Sequence, residues 1–321
     1  MNSMPKIAVK HLKKYFKTPS GLLHAVDDVS FAIEKGHTLG VVGESGCGKT
    51  TLGRTVLRLT EPTEGEIFFD GKDITGIGKA EMKQLRKKMQ LIFQDPYTSL
   101  NPRLSVSDII KEPMKVGRLY QTKKELNDKV KELMDIVGLA PRLVNAYPHE
   151  LDGGRRQRIG IARALATNPD FIVCDEPVSA LDVSIQAQIL NLMMDLQEER
   201  QLAYLFITHD MSVVKHISTE IAVMYLGQCV ELAPTEELFQ HPRHPYTKAL
   251  LSAIPTIDIS KRDQEPELLR GEVTSPINPV AYCRFYPRCP YACEQCKEQP
   301  YQLAELGNGH FCACVLAQEE N

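Results

Sequence analysis

Short runs of apolar residues, separated by glycine and polar residues, recur through the first 90 residues and predict β-strands joined by turns. Residues 65–71, with the sequence GEIFFDG, show one such strand followed by a turn. Three other apolar runs, at residues 38–42, 171–174 and 204–207, have the length of buried strands in a parallel sheet. Together these runs predict an α/β fold built on a doubly wound sheet.

A helical period replaces this pattern in residues 123–137, where apolar and charged residues are interspersed. The apolar positions are Leu126, Val130, Leu133, Met134 and Val137. They predict an amphipathic helix that stops at Gly138, because glycine is common just after a helix. A second helix is predicted over residues 51–59.

The chain has 321 residues, with 38 Lys and Arg against 41 Asp and Glu. This length predicts one large domain and a smaller one, and the near balance of charge argues against nucleic acid as the main partner. No stretch approaches the roughly 18 apolar residues of a transmembrane helix. The first 17 residues lack the apolar core of a signal peptide. We therefore expect a cytoplasmic chain that meets the membrane through partners.

The sequence GESGCGKT follows the predicted strand at residues 38–42 and matches a phosphate-binding loop. Its glycines let backbone N–H groups turn toward phosphate oxygens. Lys49 is placed to reach the β- and γ-phosphates, the Thr50 hydroxyl is placed to bind Mg²⁺, and the helix that follows presents its positive end. The candidate nucleotide contacts are Gly43, Glu44, Ser45, Gly46, Cys47, Gly48, Lys49, Thr50 and Thr51.

The apolar run at residues 171–174 ends in Asp175 and Glu176, at the edge where parallel sheets place their ligands. Asp175 is the candidate Mg²⁺ ligand, directly or through water. Glu176 is placed to orient the attacking water, because phosphoryl transfer depends mainly on positioning and charge compensation. Two acids at a strand end are weak evidence alone. Combined with the loop, they predict a site for ATP with Mg²⁺.

Four further motifs complete the set: Gln94 in LIFQDP, LDGGRRQR at residues 151–158, SALD at residues 179–182 and THD at residues 208–210. In order and spacing, the six motifs resemble those of the ATP-binding subunits of ABC transporters. In that family, the last four motifs are called the Q-loop, the signature, the D-loop and the switch. The resemblance covers about residues 6–235.

The resemblance implies a P-loop NTPase core, with a mainly parallel sheet and an antiparallel β subdomain. Residues 1–235 would form the ATPase domain, and a helical subdomain would be inserted at about residues 96–168. The turn-rich segment at residues 95–102 would lie where the family receives the coupling helices of the membrane subunits. Without the resemblance, that segment is an ordinary loop.

Site roles also follow from the resemblance. Tyr15 would stack on adenine, Gln94 would sense Mg²⁺ and the γ-phosphate, and His209 would contact the γ-phosphate and help to hold the attacking water. The predicted catalytic residues are therefore Glu176, His209 and Gln94. The signature and the D-loop would add nucleotide contacts from Asp152, Gly153, Gly154 and Asp182. Tyr15 as an ordinary strand aromatic and His209 as an ordinary surface residue are the alternatives.

The signature departs from the family pattern, because Asp152 stands where the family has Ser and Arg155 stands where it has Gln. In the head-to-tail dimers of the family, the Ser hydroxyl donates to the γ-phosphate bound by the partner. An ionised Asp152 cannot donate and adds negative charge beside phosphate, which would weaken that site unless Asp152 is protonated or Arg155 compensates. Alternatively, Asp152 is a helix N-cap, and Gly153 and Gly154 still present their N–H groups to phosphate.

The last part of the chain, residues 236–321, carries HPRHPYT at residues 241–247, LLSAIP at residues 250–255 and SPINP at residues 275–279. These sequences resemble the C-terminal extension of the oligopeptide, dipeptide and nickel importer subfamily. They do not separate peptide cargo from a nickel chelate.

Six of the nine cysteines lie between residues 283 and 314: Cys283, Cys289, Cys293, Cys296, Cys312 and Cys314. In a reducing compartment such a cluster favours metal binding over disulfides, and either Zn²⁺ or an iron–sulfur cluster can use four thiolates. The CxxC pair at residues 293–296 alone favours zinc. The resemblance implies a [4Fe-4S] cluster on Cys283, Cys289, Cys296 and Cys314. Free structural thiols are the third possibility.

These observations predict an ATP-hydrolysing subunit that powers import of peptides or a related solute. Its expected partners are a second homologous ATPase in a heterodimer, two integral membrane permease subunits and, indirectly, an extracellular solute-binding protein, with no nucleic acid. Its expected location is the cytoplasmic face of the membrane. A weakly hydrolysing regulatory subunit and a nickel or metal-chelate importer ATPase remain alternatives. A soluble ABC ATPase acting on DNA or ribosomes would need a long coiled coil or a second cassette, and neither fits in this chain.

Overall fold

The structure is a computed structural model, and it describes residues 4–254, 271, 275–298 and 302–319. Pro255 of the LLSAIP motif lies outside the described residues. The strands are β1 (Ile7–Thr18), β2 (Gly21–Ile33), β3 (Thr38–Val42), β4 (Glu64–Phe69), β5 (Lys72–Asp73), β6 (Met89–Ile92), β7 (Phe171–Asp175), β8 (Ala203–Ile207), β9 (Glu220–Tyr225), β10 (Gln228–Pro234), β11 (Ala304–Glu305) and β12 (Phe311–Cys312).

The helices are α1 (Lys49–Val56), α2 (Lys79–Leu85), α3 (Pro96–Ser99), α4 (Val106–Gly117), α5 (Lys123–Ile136), α6 (Gly153–Leu165), α7 (Val183–Arg200), α8 (Met211–Ile217), α9 (Thr235–Gln240), α10 (Pro245–Ser252), α11 (Gln295–Glu298) and α12 (Val315–Glu319). Shorter 3-10 turns occur at Pro141–Asn145, Pro148–Glu150 and Tyr286–Arg288.

The chain forms two compact units. The first contains residues up to Ile7, Ile33–His37 and Phe68–Ile207, and the second contains Ala8–Ala32, Thr38–Ile67 and residues from Thr208 onward. Strands β6, β7 and β8 of the first unit pair in parallel. Every residue of β7 and β8 is buried, which confirms the buried strands predicted at residues 171–174 and 204–207.

Between β6 and β7 the first unit is helical. Helix α5 confirms the amphipathic helix predicted for residues 123–137, and it ends one residue early because Val137 is its C-cap. Its start is fixed by Thr122 and Glu125, each of which accepts a hydrogen bond from the backbone N–H of the other. The buried side chains Val130, Leu133 and Met134 form the apolar face.

In the second unit, β9 pairs in parallel with β3 and antiparallel with β10, and β10 continues to β12 and β11. The strand predicted at residues 38–42 is β3. The helix predicted at residues 51–59 is α1, and both of its predicted ends were wrong. It starts at Lys49, directly after Gly48 in a left-handed conformation, and ends at Val56, before Arg58 also takes a positive φ angle.

Parallel strands joined through helices confirm the predicted α/β class. Within the described residues, no helix combines the length and the apolar composition needed to cross a membrane. The division at residues 235 and 236, and the bounds of the helical subdomain, remain predictions.

Candidate nucleotide site

The glycine loop leaves β3 and enters α1 within the second unit, as the sequence predicts. At two positions the backbone of this loop passes so close to neighbouring backbone that glycine is required. At Gly43, with φ 152°, an added Cβ would lie 2.2 Å from the Met224 carbonyl oxygen, and at Gly48, with φ 106°, it would lie 1.9 Å from the Ala25 carbonyl oxygen. The loop therefore runs too close to neighbouring backbone for any residue with a side chain at these positions.

Lys49 is buried at the mouth of this loop, with 5% of its surface exposed. Its ammonium donates to the carbonyl oxygens of Gly43 at 2.7 Å and Glu44 at 2.9 Å. Of the residues that the structure describes, none caps the N-terminus of α1 with its side chain, and the first turn contains no acidic residue. A helix start without a cap, beside a lysine, is suited to bind phosphate.

Tyr15 lies on β1 in the same unit. Its ring stacks on the His24 ring, with centroids 3.9 Å apart and planes inclined by 26°. Its hydroxyl donates to the Asp27 carboxylate, which also contacts Nδ1 of His24 at 3.0 Å. Tyr15 is thus held in one orientation by two neighbours, whose involvement the sequence did not reveal.

Asp175 and Glu176 stand at the end of β7 in the first unit. Asp175 is 4% exposed. Glu176 has a φ angle of 46°, an unusual conformation for a residue with a side chain, and its N–H donates to the Ile207 carbonyl oxygen at 2.9 Å. The side-chain amide of Gln94 donates to Oε2 of Glu176 at 2.8 Å. The structure therefore brings two predicted catalytic residues into direct contact.

The signature residues lie at the start of α6 in the first unit. Oδ1 of Asp152 accepts from the N–H of Arg155 at 2.8 Å, and Oδ2 pairs with the Arg155 guanidinium at 3.1 Å. Asp152 is thus an N-cap, which was one of the two predicted roles. An added Cβ at Gly154 would lie 2.7 Å from Cγ2 of Ile185, in the first turn of α7. Gly154 is therefore also required for close packing.

Asp182 and His209 each stand beside the start of a helix. Asp182 caps α7 by accepting from the N–H of Ile185 at 3.0 Å, and this hydrogen bond is the main reason that its pKa is lowered. His209 is exposed and precedes Asp210, which caps α8. Asp182 lies in the first unit and His209 in the second.

The cysteines predicted as metal ligands, Cys283, Cys289, Cys296 and Cys314, line one cavity of about 50 Å³ in the second unit. Burial raises the pKa of the Cys283 and Cys289 thiols to about 11. Across the described parts of the chain, however, no group of three or more His, Cys, Asp or Glu residues is arranged to hold a metal ion. The thiol donors suit iron or zinc, but their arrangement here is not that of a metal site. Cys47, Cys174 and Cys229 are buried.

Four residues that contact the loop and its surroundings were not predicted from the sequence: Tyr246, Arg284, Arg288 and Asp27. The N–H of Glu44 donates to the Tyr246 hydroxyl, and Arg288 pairs with the Glu44 carboxylate. Residues more than 200 positions apart make these contacts, so no local pattern could have indicated them.

Two family descriptions match the chain. "ABC transporter" matches residues 26–179, and "Oligopeptide/dipeptide transporter, C-terminal region" matches residues 230–296. Among curated relatives, the oligopeptide transport ATP-binding protein AppF of Bacillus subtilis is 53% identical over 97% of both chains. The oligopeptide transport ATP-binding protein OppF of the same organism is 51% identical over 97% of both chains.

Solved structures agree. The dimeric post-hydrolysis state of the ATP-binding cassette MJ0796, bound to ADP and Pi, is 28% identical, with a TM-score of 0.66 over 71% of this chain and 98% of that one. CbiO1 of Clostridium perfringens, part of the ABC transporter complex cbiONQ, is 25% identical, with a TM-score of 0.66 over 74% of this chain and 91% of that one. The fold and the glycine loop are those of an ATP-binding cassette. The chain belongs to the ABC transporter family, in the group with the oligopeptide/dipeptide transporter C-terminal region.

Proposed function

We propose that this chain is an ATPase subunit that powers the import of peptides through a membrane ABC transporter. Similarity to oligopeptide transport ATP-binding proteins over almost the whole chain, including the C-terminal region, carries the proposal. The glycine loop supports it, because its backbone shape and Lys49 suit a triphosphate. The peptide-importing relatives favour peptide over a nickel chelate as cargo.

In this proposal, the loop residues from Gly43 to Thr51 bind the phosphates, and Lys49 exchanges its contacts with the loop carbonyls for phosphate oxygens. Thr50 and Asp175 are suitable Mg²⁺ ligands, because a hydroxyl and a carboxylate are the hard oxygen donors that this ion prefers. Bound Mg²⁺ offsets phosphate charge. Tyr15 stacks on adenine.

Glu176 orients the attacking water and accepts its proton. The 2.8 Å hydrogen bond from Gln94 holds the Glu176 carboxylate in one orientation and links it to a second residue proposed to sense Mg²⁺ and the γ-phosphate. His209, exposed at the end of its strand, contacts the γ-phosphate. Asp152, Gly153, Gly154 and Asp182 contact the nucleotide bound by a partner subunit.

The partners follow from the same family. We propose a heterodimer with a second homologous ATPase subunit, docked at the cytoplasmic face of the membrane on two permease subunits. An extracellular solute-binding protein would deliver the peptide to those permeases. ATP binding closes the dimer and hydrolysis reopens it, with the drive supplied by the tighter binding of ATP to the closed state.

A regulatory, weakly hydrolysing role is the second candidate, because Asp152 suggests that the two ATP sites of the dimer are unequal. Its carboxylate stands at a helix N-terminus that would otherwise attract phosphate, and only the exposed Arg155 offsets it among the contacts described. Any such weakness would fall on the site completed by this signature, on the partner's phosphate loop.

We also propose that Cys283, Cys289, Cys296 and Cys314 hold a [4Fe-4S] cluster, with Zn²⁺ as the alternative. Their common cavity supports this assignment, whereas their present arrangement does not. Iron, sulfide and zinc should be measured on protein purified without oxygen. Cys289→Ser should lose the metal and Cys293→Ser should keep it. Metal-free wild-type protein would contradict the proposal.

Peptide uptake by cells that carry the complete transporter tests the proposed function. Lys49→Ala should abolish uptake while leaving assembly intact, because the loop loses its charge toward the phosphates. Lys248→Ala, in α10, is the control for loss of a lysine and should transport normally. Uptake of a nickel chelate instead of peptide would contradict peptide as the transported solute. Normal uptake by Lys49→Ala would contradict the proposal that ATP bound by this chain powers transport.

A further inference from the structure

Two buried arginines lie in the segment bounded by Cys283 and Cys289. The side chains of Arg284 and Arg288 are each 5% exposed. A buried guanidinium is costly unless it is paired, so the groups that it contacts show what it does. Both arginines contact residues beside the proposed nucleotide site, and all of these residues belong to the second unit.

Arg288 holds the carboxylate of Glu44, the second residue of the phosphate loop. Nη1 donates to Oε2 at 2.7 Å and Nη2 donates to Oε1 at 3.0 Å, so the pair is bidentate. The hydrogen bond with Glu44 is the main reason that the pKa of Arg288 is raised. The Tyr225 hydroxyl lies 3.4 Å from Nη1. The guanidinium is therefore fixed relative to the loop.

The backbone of Glu44 is held from the same part of the chain. Its N–H donates to the Tyr246 hydroxyl at 2.9 Å, and Tyr246 is completely buried. The Tyr246 ring packs on Tyr225 and Phe285, with centroids 4.8 Å and 5.5 Å away. Phe285 follows Arg284 directly. The C-terminal region thus fixes both the main chain and the side chain of this loop residue.

Arg284 acts at the other end of the proposed site. One nitrogen pairs with the Asp27 carboxylate and another donates to the Leu226 carbonyl oxygen. Asp27 in turn accepts from the Tyr15 hydroxyl and contacts His24, whose ring stacks on Tyr15. Burial alone raises the pKa of Asp27, but the hydrogen bonds from Tyr15 and His24 and the charge of Arg284 lower it overall.

We propose that Arg284 and Arg288 are positioning residues for the nucleotide site, Arg288 through Glu44 of the phosphate loop and Arg284 through Asp27 and the Tyr15 ring. The cysteine-rich segment is then a structural part of the nucleotide site. This inference rests on the proposed function, in which the loop binds phosphates and Tyr15 stacks on adenine.

Charge explains why arginine is needed beside the loop. ATP brings several negative charges to a loop that already contains the Glu44 carboxylate, and an unpaired carboxylate there repels the phosphates. Arg288 neutralises Glu44 and fixes its carboxylate through two hydrogen bonds. Lysine offers a point charge without that planar fork, so it cannot fix the carboxylate in the same way.

Two probes separate the two arginines: MgATP, and inorganic tripolyphosphate with Mg²⁺, which has no adenine. Dissociation constants are measured by titration calorimetry on the full chain. Arg288→Gln should weaken both probes by about tenfold or more, the effect of losing hydrogen bonds to a charged group. Arg284→Gln should weaken MgATP by a similar factor and leave tripolyphosphate unchanged, because Tyr15 contacts only the base.

The matched control is His310→Leu, which removes a buried contact between His310 and Glu231, 2.7 Å apart in the same unit. It should lower the melting temperature and leave both dissociation constants unchanged. The double variant Arg288→Gln with Glu44→Gln should regain part of the tripolyphosphate affinity, because the unpaired charge is gone.

Arginine variants that melt at lower temperature but bind both probes like wild type would overturn the inference. So would Arg288→Gln with no recovery on adding Glu44→Gln. If the wild-type chain itself binds neither probe, that result contradicts the proposed function and not the role of the two arginines.

Discussion

Alanine in place of Gly48 tests the shape of the phosphate loop, and Gly46 of the same loop supplies a matched control. Both glycines have positive φ angles, 106° for Gly48 and 81° for Gly46. Backbone strain of roughly 1–2 kcal/mol therefore applies to alanine at either position. The surroundings differ, because the new Cβ would lie 1.9 Å from the Ala25 carbonyl oxygen at position 48 and within 4 Å of no described atom at position 46.

The clash at position 48 sets the magnitude. Cβ contacts in real proteins stay above 3.0 Å, so the loop and the Ala25 carbonyl must separate by more than 1 Å. Both sides are backbone, so no change of rotamer can relieve the contact. A shift of this size takes loop N–H groups out of hydrogen-bond range of a phosphate. Losing two such bonds, at about 1.5–3 kcal/mol each, weakens binding at least about 100-fold.

Calorimetric titration with MgATP and thermal unfolding are the assays for both variants. Gly48→Ala should bind at least about 100-fold more weakly, whereas Gly46→Ala should stay within about tenfold of wild type. Equal affinity of the two variants would contradict this prediction, because both have a positive φ angle and only Gly48→Ala introduces the clash. Unfolding curves show whether Gly48→Ala is still folded at the temperature of the titration.

Two other predictions concern the signature and acid stability. Asp152→Ser should raise ATP turnover by the dimer several-fold, about tenfold at most, because Ser keeps the helix cap and restores a hydrogen-bond donor. Asp152→Asn is the control for loss of the charge. Unchanged turnover in Asp152→Ser would contradict the interpretation that the Asp152 carboxylate repels the phosphates. Burial lowers the pKa of His244 from 6.5 to about 4, against the opposing charge of Glu231 and with a smaller contribution from Lys248. The folded state therefore has its full stability from this group above pH 6.5, where His244 is neutral in both states. As the pH falls from 6.5 toward 4, only the unfolded chain binds the proton, and the free energy of unfolding falls by up to about 1.4 kcal/mol per pH unit. Between pH 7 and 4.5, the free energy of unfolding should depend more strongly on pH for wild type than for His244→Asn. His244→Asn is a fair comparison because the new side chain can still accept from the Tyr246 N–H. Parallel curves of unfolding free energy against pH would contradict this prediction.

The centre of the fold was largely predictable, because three of its strands are short and fully buried and its loop has a fixed composition. β3, β7 and β8 are apolar except for Thr38 and Gly40 in β3 and for Asp175 at the end of β7, so their location followed from the sequence. The ends of α1 were not predictable from periodicity. They depend on a left-handed Gly48 and on Arg58, whose conformations follow from the surrounding chain.

The location of a candidate site residue was predictable where it lies within one motif, as for Lys49 at the start of α1 and Asp175 at the end of β7. The role of Gln94 was predicted only from the family resemblance, and its contact with Glu176, 82 positions away, was not predicted. The arginine contacts with Glu44 and Asp27 span 244 and 257 positions and could not be inferred from local pattern. Long-range pairing of charges depends on the fold, and a single sequence does not encode it in any short stretch.

Peptide-stimulated ATP hydrolysis by the purified membrane complex, with Glu176→Gln introduced in this subunit alone, shows whether the site on this chain's own phosphate loop hydrolyses ATP. The substitution preserves size and an acceptor for the Gln94 amide, so it removes little besides the carboxylate. We predict that stimulated hydrolysis falls by about 100-fold or more while MgATP still binds. If most of the stimulated activity survives, this chain is the regulatory half of the pair and Glu176 is not its catalytic residue.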